Sequence, residues 1–99
     1  MVGKSQIIDE ISRYVDLDKD SLLQKGLESL LGEKRRAIML EQIELFSRYK
    51  ISSAAELEEM IRKGTVEEHP TWEDLIVLEN LEAELVKIDE FLSDLRETA

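Results

Sequence analysis

From Leu78 the apolar residues recur at Leu78, Leu81, Leu85, Ile88, Leu92 and Leu95, with spacings of 3, 4, 3, 4 and 3. A repeat averaging 3.5 residues places one apolar seam on one face of a helix, the pattern that packs against another helix. The predicted helix covers 72–97. Thr71 is its expected cap, with Trp72, Glu73 and Asp74 in the first turn, where carboxylates complement the helix dipole. Pro70 sets the boundary before it. At 1.5 Å per residue this helix is a rod of about 39 Å. Trp72, Leu75, Ile76 and Val86 lie off the seam, which predicts that the first half is buried on two sides. Beyond Lys87 only the seam and Phe91 are apolar.

The earlier part of the chain also reads as helix. Ile7, Ile8, Ile11, Tyr14 and Val15 fall at helical spacing within a first segment, 1–16, with Ser5 as its expected cap. Asp16 to Asp20 forms a turn, and Asp18 or Asp20 caps the next helix. Leu22, Leu23, Leu27, Leu30 and Leu31 belong to this second helix, in which Gly26 is read as a close helix crossing. Gly32 leaves two options: a break, with a third helix through Ile38, Met39, Ile43, Phe46 and Tyr49, or one long helix over 20–49. The good helix formers on both sides favour continuity. Ser53 with Glu56 matches a capping box and opens a short helix over 53–63. Glu58 to Arg62 and Glu59 to Lys63 are favourable i,i+4 pairs, and Gly64 is a left-handed stop. The expected buried set is Ile11, Leu27, Leu30, Ile38, Phe46, Leu57, Ile61, Trp72, Leu78, Leu81 and Leu85.

These elements define an all-α chain, a small helical bundle or helical hairpin with a long heptad-patterned C-terminal helix. Ninety-nine residues suit a single domain, 1–99. Cysteine is absent, which excludes disulfides, thiolate metal sites and cysteine nucleophiles. No run approaches the roughly 20 apolar residues of a membrane span. The opening MVGKSQIIDE lacks the apolar core of a signal peptide. A cytoplasmic location without membrane association is therefore expected.

The net charge of -10 is unevenly placed. Residues 1–36 hold seven basic and seven acidic side chains, whereas residues 37–99 hold six basic and sixteen acidic ones. Such a surface repels nucleic acid and attracts basic partners. Lys34, Arg35 and Arg36 form the one basic cluster, and three cations release too few counterions for tight duplex binding. The Asp16–Asp20 stretch lacks the glycine and terminal glutamate of a calcium loop. His69, the single histidine, has no evident convergent ligands. There is no glycine-rich phosphate loop, no G-x-S-x-G and no H-E-x-x-H. No enzyme activity, catalytic residue, metal or cofactor is expected.

Residues 33–92 carry a recognisable layout. A charged helix leads into Phe46-Ser47-Arg48-Tyr49-Lys50-Ile51-Ser52-Ser53, then Glu56-Leu57-Glu58-Glu59, Ile61-Arg62-Lys63-Gly64, and His69-Pro70-Thr71-Trp72-Glu73-Asp74 before a leucine-rich helix. This resembles a group of small archaeal helical proteins associated with the antitoxins of type II toxin–antitoxin pairs. Lys50 stands where that pattern has glycine. The resemblance implies a protein-interaction role and brings no catalytic residues.

Two expectations result. In the first, an antitoxin-like module holds a basic, toxin-like partner through the acidic face of the last helix, Glu79, Glu82, Asp89, Glu90 and Asp94. In the second, the chain is a structural homo-oligomer. A homodimer through Ile88, Phe91, Leu92 and Leu95 is expected where a break at Gly32 leaves that end uncovered. A DNA-binding regulator using the N-terminal third is the remaining alternative.

Overall fold

The computed structural model describes residues 3–98. Four helices occur in order: α1 (Lys4–Tyr14), α2 (Lys19–Tyr49), α3 (Ala54–Lys63) and α4 (Glu68–Glu97). No strand occurs among the described residues, so the fold is all-α.

Asp18 caps α2, its Oδ1 accepting from the Ser21 amide at 2.7 Å. That bond holds the Asp18 carboxyl below the usual carboxylate range. The helix then runs unbroken for 31 residues through Gly26 and Gly32. A Cβ added at either glycine meets nothing within 4 Å. Gly26 is therefore not a close crossing, contrary to the sequence expectation. Lys50 ends the helix in the left-handed conformation, φ 55° and ψ 49°, with its amide donating to the Phe46 carbonyl. Glycine would be favoured at this position, because the turn needs positive φ.

α2 and α4 lie antiparallel as a long hairpin. Gln24 Nε2 donates to the Leu95 carbonyl at 3.1 Å near one end, and Arg35 Nε donates to Asp89 at 2.9 Å further along. Arg48 donates to Asp74 at 3.0 Å at the other end. The face α2 turns inward is Gln24, Glu28, Leu31, Arg35, Ile38, Gln42, Leu45 and Tyr49, all buried or half-buried. Opposite them, Leu75, Leu78, Leu81 and Ile88 are buried.

α3 closes the turn end of the hairpin. Ser53 caps it, its Oγ accepting from the Glu56 amide at 3.2 Å. The Glu56 carboxylate accepts in return from the Ser52 amide at 2.5 Å, one residue earlier than in a standard capping box. Gly64 stops the helix at φ 73°. Ala54 and Leu57 enter the core with Ile38, Leu45, Leu75, Leu78, Leu81 and Ile88.

The start of α4 departs from expectation. His69 is extended (φ -121°, ψ 127°), as a residue before proline prefers, and Pro70 opens the continuous helix. Thr71 is thus inside the helix and buried rather than acting as its cap. Similarly, α1 is entered through Gly3 without a side-chain cap, so Ser5 does not cap it.

Four residues expected inside are exposed: Ile11, Leu27, Leu30 and Trp72. The cause is common to them. α4 docks along the heptad line of α2 that includes Leu31, Ile38 and Leu45, which leaves Leu27 and Leu30 on its flank. Trp72 lies on the flank of α4, and α1 meets the rest of the chain mainly at the start of α2. The result is a flat, elongated molecule of 62 × 31 × 17 Å. Its radius of gyration is 20.0 Å, against about 13 Å for a compact domain of this length.

Candidate interaction surface

A layer this thin leaves large side chains uncovered. Ile7, Ile8, Ile11 and Tyr14 on α1, Val15 at its C-cap, and Leu23, Leu27 and Leu30 on α2, are exposed, Leu30 by 63%. α1 contributes no buried residue. It is tied to the first residue of α2 by a 2.7 Å Lys19–Asp9 ion pair and to the connecting turn by the Ser12 hydroxyl donating to the Leu17 carbonyl. The accessible surface is 7581 Å². A compact monomer of this mass would expose about 5,800 Å², so the excess is about 1,800 Å².

One groove stands out on this side. Leu27, Leu30 and Leu31 of α2 and Phe91, Leu95 and Thr98 of α4 line about 430 Å³, with Asp94 as the one charged residue on its wall. The residues of the expected homodimer seam divide here. Phe91 is exposed, and Leu92 and Leu95 are half-buried. Ile88 is buried at 5% because the unbroken α2 covers it. Ile88 therefore belongs to the core of one chain and is not a surface contact.

The expected acidic face is also only partly open. Asp89 is held by Arg35, and Glu84 lies 3.8 Å from Lys34. Two members of the basic cluster thus face acids of their own chain. Glu79, Glu90 and Asp94 are exposed, and Glu82 is half-buried. None of these four forms an ion pair among the described residues.

A family model described as "Uncharacterized protein MJ0235 family" matches residues 1–99. The chain belongs to the MJ0235 family. No curated protein and no solved structure matches this MJ0235-family chain.

His69 Nδ1 lies 3.7 Å from Glu73 with both side chains largely in solvent. No group of three or more metal-ligating side chains converges among the described residues. Tyr49, Arg48 and Asp74 form a small polar network at the turn end. Burial, and then the hydrogen bond to Asp74, raises the Tyr49 phenol above its usual value. The same network raises Arg48. These contacts tie the end of α2 to α4. No described helix is long and apolar enough to cross a membrane.

The apolar flank of α2 is hard to recognise in the sequence because two stripes compete on that helix. Leu23, Leu27 and Leu30 make the more conspicuous one. The stripe that is buried alternates Gln24, Glu28, Arg35 and Gln42 with Leu31, Ile38 and Leu45. Extending the seven-residue repeat from Leu45 back to Gln24 would have separated them.

Proposed function

We propose that this chain is a non-enzymatic protein-interaction module that holds a basic partner protein through the acidic outer surface of α4, in the manner of an antitoxin. The observation that carries the reading is the set Glu79, Glu82, Glu90 and Asp94, which no cation of the described residues pairs, on the half where acids outnumber bases sixteen to six. An excess of one sign at a surface raises the encounter rate with a partner of the opposite sign. Lys34 and Arg35 are drawn toward acids on α4, which supports a protein rather than a nucleic-acid partner. The resemblance of residues 33–92 to antitoxin-associated helical proteins agrees with it.

The test is co-purification from the native host with the tagged chain, followed by titration of the recovered protein. A basic partner whose affinity falls steeply with salt, and falls again when Glu79 and Glu90 are changed to Lys, is the expected result. Recovery of no basic protein at low salt, or binding indifferent to those changes, would remove the proposal.

A further inference from the structure

The apolar side of the molecule carries a second inference, which shares only Asp94 with the acidic face and needs no basic partner. Two unsatisfied features sit at the same end of the plate. One is the stripe Ile7, Ile8 and Ile11 of α1 with Val15 at its C-cap, each side chain 43–45% exposed and none fully buried. The other is the groove between Leu27, Leu30 and Leu31 of α2 and Phe91 and Leu95 of α4. No α1 residue lines that groove. The Asp9–Lys19 pair and the Ser12–Leu17 bond link α1 to the connecting turn and the first residue of α2, and stripe and groove stay apart within one chain.

We propose that a second copy of this chain covers this side, with α1 of each copy seated in the groove of the other. Three observations choose a second copy over a different protein. First, the elongated chain as a whole exposes about 1,800 Å² more than a compact monomer of its mass, so the roughly 800 Å² per partner of a standard interface lies within that excess. Second, the stripe and the α2 wall of the groove lie in residues 1–36, which carry seven basic and seven acidic side chains, and Asp94 is the one charged residue lining the α4 wall, so two copies set little like charge against each other there. Pairing through the acidic half would set charges of one sign against each other. Third, an exchange of α1 for groove is self-complementary: both halves are present in every copy, as a two-fold interface requires. Lys4, one turn before Ile8 on the stripe, is opposite in sign to Asp94 on the groove wall.

The experiment is sedimentation equilibrium on the full chain with far-ultraviolet circular dichroism alongside. Wild type is expected at twice 11.5 kDa in the low micromolar range. Ile11→Glu and Leu30→Glu should each weaken the dimer at least about tenfold. Both side chains are exposed in the single chain, so each variant should keep its helicity. Mixing the two variants should restore part of the association, because the mixed pair retains one intact α1–groove junction out of two. A wild-type monomer at high micromolar concentration would overturn the proposal. So would a dimer that survives both substitutions, or a mixture that recovers nothing. Loss of helicity in either variant would also count against it, since the residues would then belong to the fold of one chain.

Discussion

The Tyr49 hydroxyl, on the last residue of α2, donates to Asp74 near the start of α4 and so ties the two long helices where α3 closes the hairpin. Arg48 reaches the same carboxylate oxygen at 3.0 Å. Burial and this bond raise the phenol above its ordinary value of about 10. At lower pH the phenol is protonated in both folded and unfolded chains, and the full contribution to stability is present. As pH rises past the ordinary value the unfolded chain loses its proton first, and the contribution disappears as the folded phenol titrates. Wild type should therefore lose melting temperature more steeply above pH ~10 than Tyr49→Phe. At neutral pH the variant should be less stable by about 1 kcal/mol. Parallel alkaline profiles of the two proteins would refute the assignment.

Gly32 sits inside an unbroken helix with open space where a Cβ would be. Gly32→Ala should raise stability by about 1 kcal/mol, the helix-propensity difference, and Gly26→Ala by a similar amount. Urea unfolding midpoints at unchanged slope provide the check. A destabilised Gly32→Ala would mean that the helix bends there in solution.

Lys50 holds the left-handed conformation at φ 55° that ends α2. A side chain with a Cβ is strained there by about 1–2 kcal/mol, partly offset by the greater freedom glycine has when unfolded. Lys50→Gly should gain about 0.5–1 kcal/mol, read from thermal or urea unfolding. A loss on substitution would show that the lysine side chain supplies something the backbone does not.

Leu57 and Leu78 are 0% exposed and belong to the core where α3 closes the hairpin. Leu57→Ala should cost about 2–5 kcal/mol in urea unfolding. Ile88→Ser should destabilise by more than about 2 kcal/mol at every protein concentration, because it places a hydroxyl in the α2–α4 core. An Ile88→Ser variant that stays fully stable and merely dissociates would return Ile88 to the surface.

The helices, the Asp18 and Ser53 caps and the Gly64 stop were readable because each depends on residues within one turn. The seam of α4 was readable too, since every position on it is apolar. Its partner stripe on α2 was not, because half of it is polar: Arg35 is tolerated there by pairing with Asp89, and Gln42 is buried among the apolar residues. The choice between the two stripes depends on contacts about 50 to 70 residues away along the chain, such as Arg35 with Asp89 and Gln24 with Leu95. Trp72 misled for a related reason. A large aromatic suggests burial, but its position on the helix sets it beside the seam, and this thin plate has no third layer to cover it. The fate of Ile88 turned entirely on the continuity of α2 at Gly32.

Because α1 buries no residue of its own, the chain holds two grades of local stability. The amides of α2, α3 and α4 share one cooperative unit around the Leu57–Leu78 core and exchange with deuterium only when that unit opens. Those of α1 are guarded by little more than its own helical bonds, and eleven residues are too few to sustain a helix alone in water. Protection of α1 is thus a local meter of whatever lies across it: faint in a solitary chain, and rising with concentration as that surface is closed.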